Sequence, residues 1–371
     1  MSEPVQCSWK AKLGRFAPSF VAAGSMLPAI ALAHVSEGPA ESSASAWQFT
    51  PDVVLLTLFF VVLYVAGLRR LRGRSNYPSP WRSASFLVGM ALVFLALQSP
   101  IDALSEHLFF VHQIQHFLLH SAGPMLVMLG EPQAPLIAGS PPWLRHYLIG
   151  PVMANRPLRA VFRAISRPIG ATTLFVGSLY VWQWPAFHDL AVRDEGVHYV
   201  MHISMLIAGL VFFWCIFDTR PAPLGARYGA RVTMLWAAVV GNILLGAITT
   251  LKPTALYAAY DDFGRLWGLT ALPDEQLGGL ILWIPPSMMC LIALFVVIQS
   301  WSAHESKVAP RIERNLGRPV VSAPAAWDRM PEGRARVAAR NRALGLKLAT
   351  LAIAVFAGIL VLGAVILVRT H

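Results

Sequence analysis

Long stretches without a charged side chain constrain this chain more than any other feature. Charged residues make up 13% of its 371 residues and hydrophobic residues 56%, whereas about 25% of a soluble domain is charged. A helix needs about 20 mostly apolar residues to cross a bilayer, and no segment alternates in polarity as barrel strands do. We therefore predict an all-α, polytopic transmembrane helical bundle. Eight spans are expected, at 51–68, 83–100, 107–129, 168–185, 197–217, 232–251, 276–300 and 348–368.

The remaining segments complete the predicted organisation. Basic residues precede an apolar run that ends at an Ala-x-Ala site, so residues 1–33 are either a cleaved signal sequence or an uncleaved anchor. Cleavage would place His34 first, and its amine and imidazole together suit Cu(II). Residues 34–300 form a seven-span membrane core, 301–347 a basic cytoplasmic linker, and 348–371 a C-terminal transmembrane helix.

The distribution of charge predicts the topology. Most of the 30 lysines and arginines follow the first, third, fifth and seventh spans, which marks these loops as cytoplasmic. The opposite loops are mainly acidic and would attract cations from outside, although ordinary solvation is the simpler interpretation for any one acid. The net charge of +11 thus reflects topology, and we expect no nucleic-acid partner. The chain is expected in the cell inner membrane with its acidic loops in the periplasm.

Histidines gather at the acidic end of two predicted spans. Residues four apart share one face of a helix. His112, His116 and His120 therefore form one stripe on the third span, and His198 and His202 form a second on the fifth. A polar side chain within a span is a functional candidate by default, and imidazole suits copper, zinc, iron and nickel. For a lone histidine, a hydrogen bond between helices is the simpler explanation.

Helical spacing ranks the candidates. His107 falls on the far side of its helix and His188 precedes the fifth span, so both are expected at the outer interface, while His120 is the deepest and weakest member. The predicted metal-binding set is His112, His116, His198, His202, His107 and His188. Asp102, Glu106 and Asp189 are expected to support these residues from behind.

Several short motifs follow one another through spans two to seven. They are Ser99-Pro-Ile-Asp102, Glu106-His107, His112-Gln-Ile-Gln115-His116, Gly130-Glu-Pro132, Phe187-His188-Asp189, Leu256-Tyr257 and Asp274-Glu-Gln276. In order and spacing they resemble the multi-span CtaG family of cytochrome c oxidase assembly factors. The resemblance implies a role in respiratory-chain biogenesis, through copper delivery to an aa-type oxidase. It also implies oxidase subunits or other assembly factors as partners.

Other functions remain open at this stage. The chain has no C-x-C, so it is not the single-span thiol copper chaperone that shares the family's name. No P-loop, H-E-x-x-H or G-x-S-x-G motif appears, and we predict no enzyme. Two facing histidine helices also suit a b-type haem protein of electron transfer, and prolines near the site would suit a metal transporter.

Overall fold

The structure, a computed structural model, describes residues 47, 49–220, 225–316 and 350. No strand occurs in this part of the chain, which confirms the predicted all-α class. A π-helical turn spans Leu118–Ala122, between Phe117 and Gly123, and another spans Arg145–Ile149, between Leu144 and Gly150. In chain order the helices are α1 (Pro51–Leu71), α2 (Pro80–Gln98), α3 (Pro100–Ser105), α4 (Phe109–Phe117), α5 (Gly123–Leu129), α6 (Gln133–Gly139), α7 (Pro142–Leu144), α8 (Gly150–Ala154), α9 (Arg156–Ile165), α10 (Pro168–Trp182), α11 (Pro185–Arg193), α12 (Glu195–Ile216), α13 (Tyr228–Leu251), α14 (Ala259–Phe263) and α15 (Ala271–Leu316).

Five of the described helices are long and apolar enough to cross a membrane. They are α1, α2, α12, α13 and the Ala271–Ser306 part of α15. Helix α10 is apolar but shorter. The chain is therefore a multi-pass membrane protein. The predicted leader 1–33, His34 and the predicted eighth span 348–368 lie outside the described residues, apart from Thr350.

The third predicted span is helical from residue 109 to 129 but contains a defect. Pro124 has no N–H to donate to the carbonyl of His120, and the N–H of Gly123 bonds to Leu118 five residues earlier. A proline within a helix removes one hydrogen bond and favours such a wider turn. Residues after Phe117 are consequently rotated away from the face that α4 alone would give them.

Close approaches at two glycines bring the histidine-bearing helices together. A Cβ atom on Gly209 of α12 would lie 2.2 Å from the carbonyl oxygen of His120. A Cβ atom on Gly278 of α15 would lie 2.2 Å from Cδ1 of Phe109, at the start of α4. A larger residue would push the helices apart at either position, so these glycines fix α12 and α15 against the third span.

An aromatic core fills the bundle beside the π-helical turn. Phe175, Phe212 and Phe213 are fully buried, and the rings of Phe175 and Phe212 stack with centroids 4.2 Å apart. Close packing of this kind, rather than the removal of apolar surface from water, holds helices together in a bilayer. This core provides a rigid base for the polar residues nearer the starts of α4 and α12.

Helix α15 continues well past the seventh predicted span. It has 46 residues, which corresponds to about 69 Å at 1.5 Å per residue. A bilayer core is about 30 Å thick. The beginning of the segment 301–347, predicted as a linker, is thus helical as far as Leu316, and the rest of that segment lies outside the described residues.

Candidate functional site

Four histidines from two helices meet at one end of the bundle, here called the histidine cluster (His112, His116, His198 and His202). The ring centroids of His112 and His116 are 4.3 Å apart, as are those of His198 and His202. Between the helices, His112 lies 5.1 Å from His198 and 5.9 Å from His202. His116 lies 5.8 Å from His202. The two predicted stripes therefore face each other.

The two histidine pairs occupy matched positions on their helices. On α4 and on α12 the histidines are the fourth and the eighth helical residues. The carboxylate of Asp274 accepts the N–H groups of Phe109 and Phe110, each at 2.9 Å. Asp194 accepts the N–H of Val197 at 2.8 Å. These bonds satisfy N–H groups that a helix start leaves unpaired, and they fix both histidine pairs at equal distances from capped ends.

The Nε2 atoms give the cluster its chemical character. Each of the four is buried, and none has a hydrogen-bond partner among the described residues. A buried polar atom without a partner is costly and needs an explanation. Candidate ligand nitrogens of His112, His116 and His202 all lie within 4.8 Å of one another. Small side-chain rotations would bring each of these nitrogens to about 2.0–2.1 Å from a shared metal ion, the distance that is typical of metal–imidazole bonds.

A chain of hydrogen bonds sets the proton position on His112. Nδ1 of His188 lies 3.0 Å from the carbonyl oxygen of Trp182, which can only accept, so Nδ1 carries the proton of His188 and Nε2 accepts. The hydroxyl of Tyr260 lies 2.7 Å from that Nε2 and 2.7 Å from Nδ1 of His112. It donates to His188 and accepts from His112. The proton of His112 is thereby held on Nδ1, and its Nε2 is left as a lone pair.

Burial keeps the side chains of this hydrogen-bond chain uncharged. Desolvation lowers the pKa of His188 to about 3 and raises the pKa of Tyr260 well above its ordinary value, so both are neutral near pH 7. The side chain of His188, which was predicted at the outer interface, is fully buried within the protein. With both ring nitrogens bonded, His188 positions Tyr260 and, through it, His112.

Asp189 holds the segment that carries Tyr260. Its carboxylate oxygens accept the N–H groups of Ala258 and Ala259 at 3.2 and 3.4 Å, at the start of the short helix α14. Its pKa is raised by burial, and the two backbone bonds and Arg193 oppose that shift. Asp189 therefore holds the segment that places Tyr260 between two histidines.

Two buried carboxylates fasten the loop between α13 and α15. Asp274 and Glu275 are completely buried. Glu275 forms an ion pair with Lys252 and accepts the N–H of Tyr257 at 3.0 Å, while Asp274 forms an ion pair with Arg265. Ordinary solvation, the simpler interpretation of each outer acid, is wrong for these two, because backbone N–H groups and cations replace water around them.

Two other predicted histidines make separate contacts. Nδ1 of His107 donates to the carbonyl oxygens of Phe263 and Gly264, at 3.1 and 2.9 Å, and so ties down the end of α14. The ring of His120 stacks on Phe175 with centroids 4.0 Å apart, and its Nε2 lies 3.1 Å from the carbonyl oxygen of Phe175. Nε2 of His120 thus has a protein partner, unlike Nε2 of the four clustered histidines, although His120 lines the same small cavity as His116.

The two remaining acids of the predicted set lie near α3. The side-chain amide of Gln115 donates to the carboxylate of Asp102 and also to the carbonyl oxygen of Ala96, at 2.9 Å. Burial raises the pKa of Asp102 to about 7, and the bond from Gln115 opposes that shift. Glu106 is exposed at the end of α3. Asp102 thus supports α4 one residue away from His116.

Sequence patterns missed several residues around the cluster. Tyr260 lies in the short helix α14 and Gln183 directly follows α10, and helical spacing does not place either of them beside the histidines. The amide of Gln183 donates to Oε1 of Gln113 at 2.6 Å, and the hydroxyl of Tyr257 donates to the carbonyl oxygen of Gln183 at 2.9 Å. The available sequence signals were the Leu256-Tyr257 motif and the position of Tyr260 directly before the paired acids Asp261 and Asp262.

The space around the cluster fits a small ion better than a haem. Imidazole rings with centroids 4.3 to 5.9 Å apart leave no slot for a porphyrin plane between them. The cavity that His116 lines, together with Gln113, Ser121 and Asn242, measures about 10 Å³, room for about one water molecule. The haem alternative would require the helices to separate.

Comparison with known proteins assigns similarity over most of the chain. The sequence profile of the family described as cytochrome c oxidase caa3 assembly factor (Caa3_CtaG) matches residues 62–304. Uncharacterized proteins of Mycobacterium bovis and Mycobacterium tuberculosis are each 27% identical over 279 residues, and one of Mycobacterium leprae is 25% identical. These matches cover 73% of this chain and 42% of each relative, so the chain spans about two fifths of their length. No solved structure matches the chain.

Proposed function

The chain belongs to the family of cytochrome c oxidase caa3 assembly factors, and we propose that it serves oxidase assembly by holding copper in the histidine cluster and passing it on. The first part of this role, oxidase assembly, is the family's. The second part is our inference from the donor set. In this proposal the protein binds copper and hands it on, and it catalyses no reaction of the ion.

The observation that carries the proposal is the set of four buried Nε2 atoms without partners. Imidazole binds copper, zinc, iron and nickel, and affinity among divalent ions of this row is highest for copper. A role in oxidase assembly favours copper among these metals, because copper is also the metal of the oxidase's copper centres. Neutral imidazoles also suit a donor, since without thiolates they release the ion more readily.

The residues behind the cluster would prepare it for the ion. A metal ligand must offer an unprotonated nitrogen. The chain from Trp182 through His188 and Tyr260 supports this state at His112, because it holds the proton on Nδ1. Copper binding at Nε2 of His112 would then displace no proton from that ring. Such outer partners fix the orientation and basicity of ligating histidines in known sites.

We place the histidine cluster at the outer, periplasmic face of the inner membrane. The charge pattern of the loops supports this topology, and it would let copper arrive and leave without crossing the bilayer. The proposed partners are oxidase subunits or other assembly factors that meet this face.

Metal analysis of the purified full chain in detergent tests the proposal. The wild-type chain should retain copper after gel filtration, at about one ion per chain, and a His112→Ala/His202→Ala variant should lose it. His120→Ala is the matched control, since His120 is buried on the same span but bonds to the carbonyl of Phe175. Equal copper in all three proteins would refute the assigned cluster.

A cellular experiment tests the oxidase role separately. Deletion of the gene should leave oxidase subunits synthesised but copper-poor and inactive, with partial rescue by added copper. Complementation with the His112→Ala/His202→Ala variant should reproduce the deletion. If the deletion strain contained oxidase with its full copper, the delivery role would be wrong even where the purified chain binds copper.

A further inference from the structure

A second cavity lies at the opposite end of the bundle, where α10 begins and α12 ends. Its volume is about 880 Å³. Arginines line one part of it, and the other part is apolar, with Phe162 and Trp214 the largest side chains. The arginines are Arg159, Arg163, Arg167 and Arg220.

The positive charge in this cavity is mostly uncompensated. Asp218 pairs with Arg220 at 2.8 Å. Arg159 and Arg163 donate instead to main-chain carbonyl oxygens, at 3.3 and 3.2 Å. No acidic partner of Arg159, Arg163 or Arg167 is found within the described ranges. The cavity therefore offers an anion at least two guanidinium groups that have no acidic partner among the described residues.

Helix α9 divides its charge and its apolar residues between two faces. Arg156, Arg159 and Arg163 recur at spacings of three and four and share one face. Leu158, Val161 and Phe162 lie on the other face and are 43 to 57% exposed. No residue of this helix is buried. A short basic helix with a bare apolar face is typical of segments that lie in a membrane interface.

The preceding segment extends the same surface. Trp143, Tyr147 and Met153 are 60 to 75% exposed although they are large and apolar or aromatic. Aromatic side chains of this kind are enriched at the level of lipid headgroups. The apolar wall of the cavity is thus continuous with a surface suited to acyl chains, while the arginines lie at its polar edge.

We propose that this cavity, at the start of α10, binds one anionic phospholipid. The headgroup phosphate would be held by Arg159, Arg163 and Arg167, and an acyl chain would lie along Phe162 and Trp214. Arginine is suited to phosphate because its planar group donates two parallel hydrogen bonds. Basic pockets between helices on the cytoplasmic side are known to take anionic headgroups. This proposal does not depend on the histidine cluster.

Lipid binding to the delipidated full chain in detergent tests the proposal. Native mass spectrometry would follow titration with phosphatidylglycerol, and with phosphatidylcholine as the zwitterionic competitor that has no net charge. We expect saturable binding of one phosphatidylglycerol, and about tenfold or greater loss of affinity in Arg159→Gln/Arg163→Gln. The matched control is Arg72→Gln/Arg74→Gln, which removes two exposed arginines from the same end of the bundle. Equal losses in the two variants would overturn the proposal.

A second variant separates a lipid from a free anion. Phe162→Ser removes apolar wall without removing charge, and it should weaken phosphatidylglycerol binding while leaving any binding of inorganic phosphate unchanged. Full displacement of phosphatidylglycerol by millimolar inorganic phosphate, with no effect of Phe162→Ser, would identify an anion site and overturn the lipid assignment. Equal affinity for phosphatidylcholine and phosphatidylglycerol would do the same.

Discussion

The hydroxyl of Tyr260 lies 2.7 Å from Nδ1 of His112, so a residue of the short helix α14 fixes the protonation of a residue inside the bundle. We expect Tyr260→Phe to lower the copper affinity of the purified chain by about tenfold or more, the usual cost of removing an outer partner of a metal ligand. Competition with a chelator of known affinity measures the change. Tyr180→Phe, which removes a tyrosine bond to the carbonyl of Gly241, should leave the affinity unchanged.

The buried pair Lys252–Glu275 should matter more for stability than an exposed pair. Lys252→Met removes the nearer cation of Glu275 and leaves only Arg265, 3.8 Å away, and breaking a buried pair typically costs about 3–5 kcal/mol. Adding Glu275→Gln should recover part of that loss. Thermal unfolding in detergent would measure both effects. Asp262→Asn, which breaks the exposed pair with Arg193, should cost at most about 1 kcal/mol. An equal loss of stability in Lys252→Met and Asp262→Asn would mean that the buried pair contributes no more than the exposed one.

Asp102 should make the wild-type chain less stable as the pH rises. Its pKa is about 7 in the folded chain against an ordinary 3.8, so the folded state holds a proton that the unfolded state has released. The stabilisation is complete below pH 3.8 and is lost as the pH rises through about 7, with a slope of at most about 1.4 kcal/mol per pH unit. Asp102→Asn should remove this component.

The Asp102 experiment compares unfolding temperatures of the two proteins at pH 5 and pH 8. The unfolding temperature of Asp102→Asn should rise relative to that of the wild-type chain between pH 5 and pH 8. The reason is that an amide still accepts the bond from Gln115 and has no proton to lose. A constant difference across the range would mean that Asp102 titrates as it does in water.

Cysteine labelling tests the topology. Thr254 lies in the loop after α13, near the histidine cluster, and Ser75 lies in the loop after α1, at the opposite end; both are exposed. In intact cells a membrane-impermeant maleimide should label Thr254→Cys and spare Ser75→Cys. Lysed cells should give both signals, and the wild-type chain supplies the background. The reverse pattern would place the cluster on the cytoplasmic side.

Local patterns predicted the fold class and part of the site. Span length and charge asymmetry depend on short segments, and a spacing of four puts His112 beside His116 whatever surrounds the helix. The same rule puts His120 on this stripe, but it could not show that Nε2 of His120 bonds to the carbonyl oxygen of Phe175. It was silent on His188 and Tyr260, which meet only through the packing of α11 and α14 against α4.

The sequence by itself determined that this chain is a helical membrane protein with two histidine pairs, because hydropathy and helical periodicity are properties of neighbouring residues. Only the tertiary structure decided that the pairs face each other, that Asp274 and Glu275 are buried, and that Tyr260 joins His112 to His188. The contacts of Asp274 with Phe109 and of Tyr260 with His112 and His188 link residues separated by 72 to 165 positions. Close packing at Gly209 and Gly278, rather than any local preference, brings such distant residues within hydrogen-bond distance.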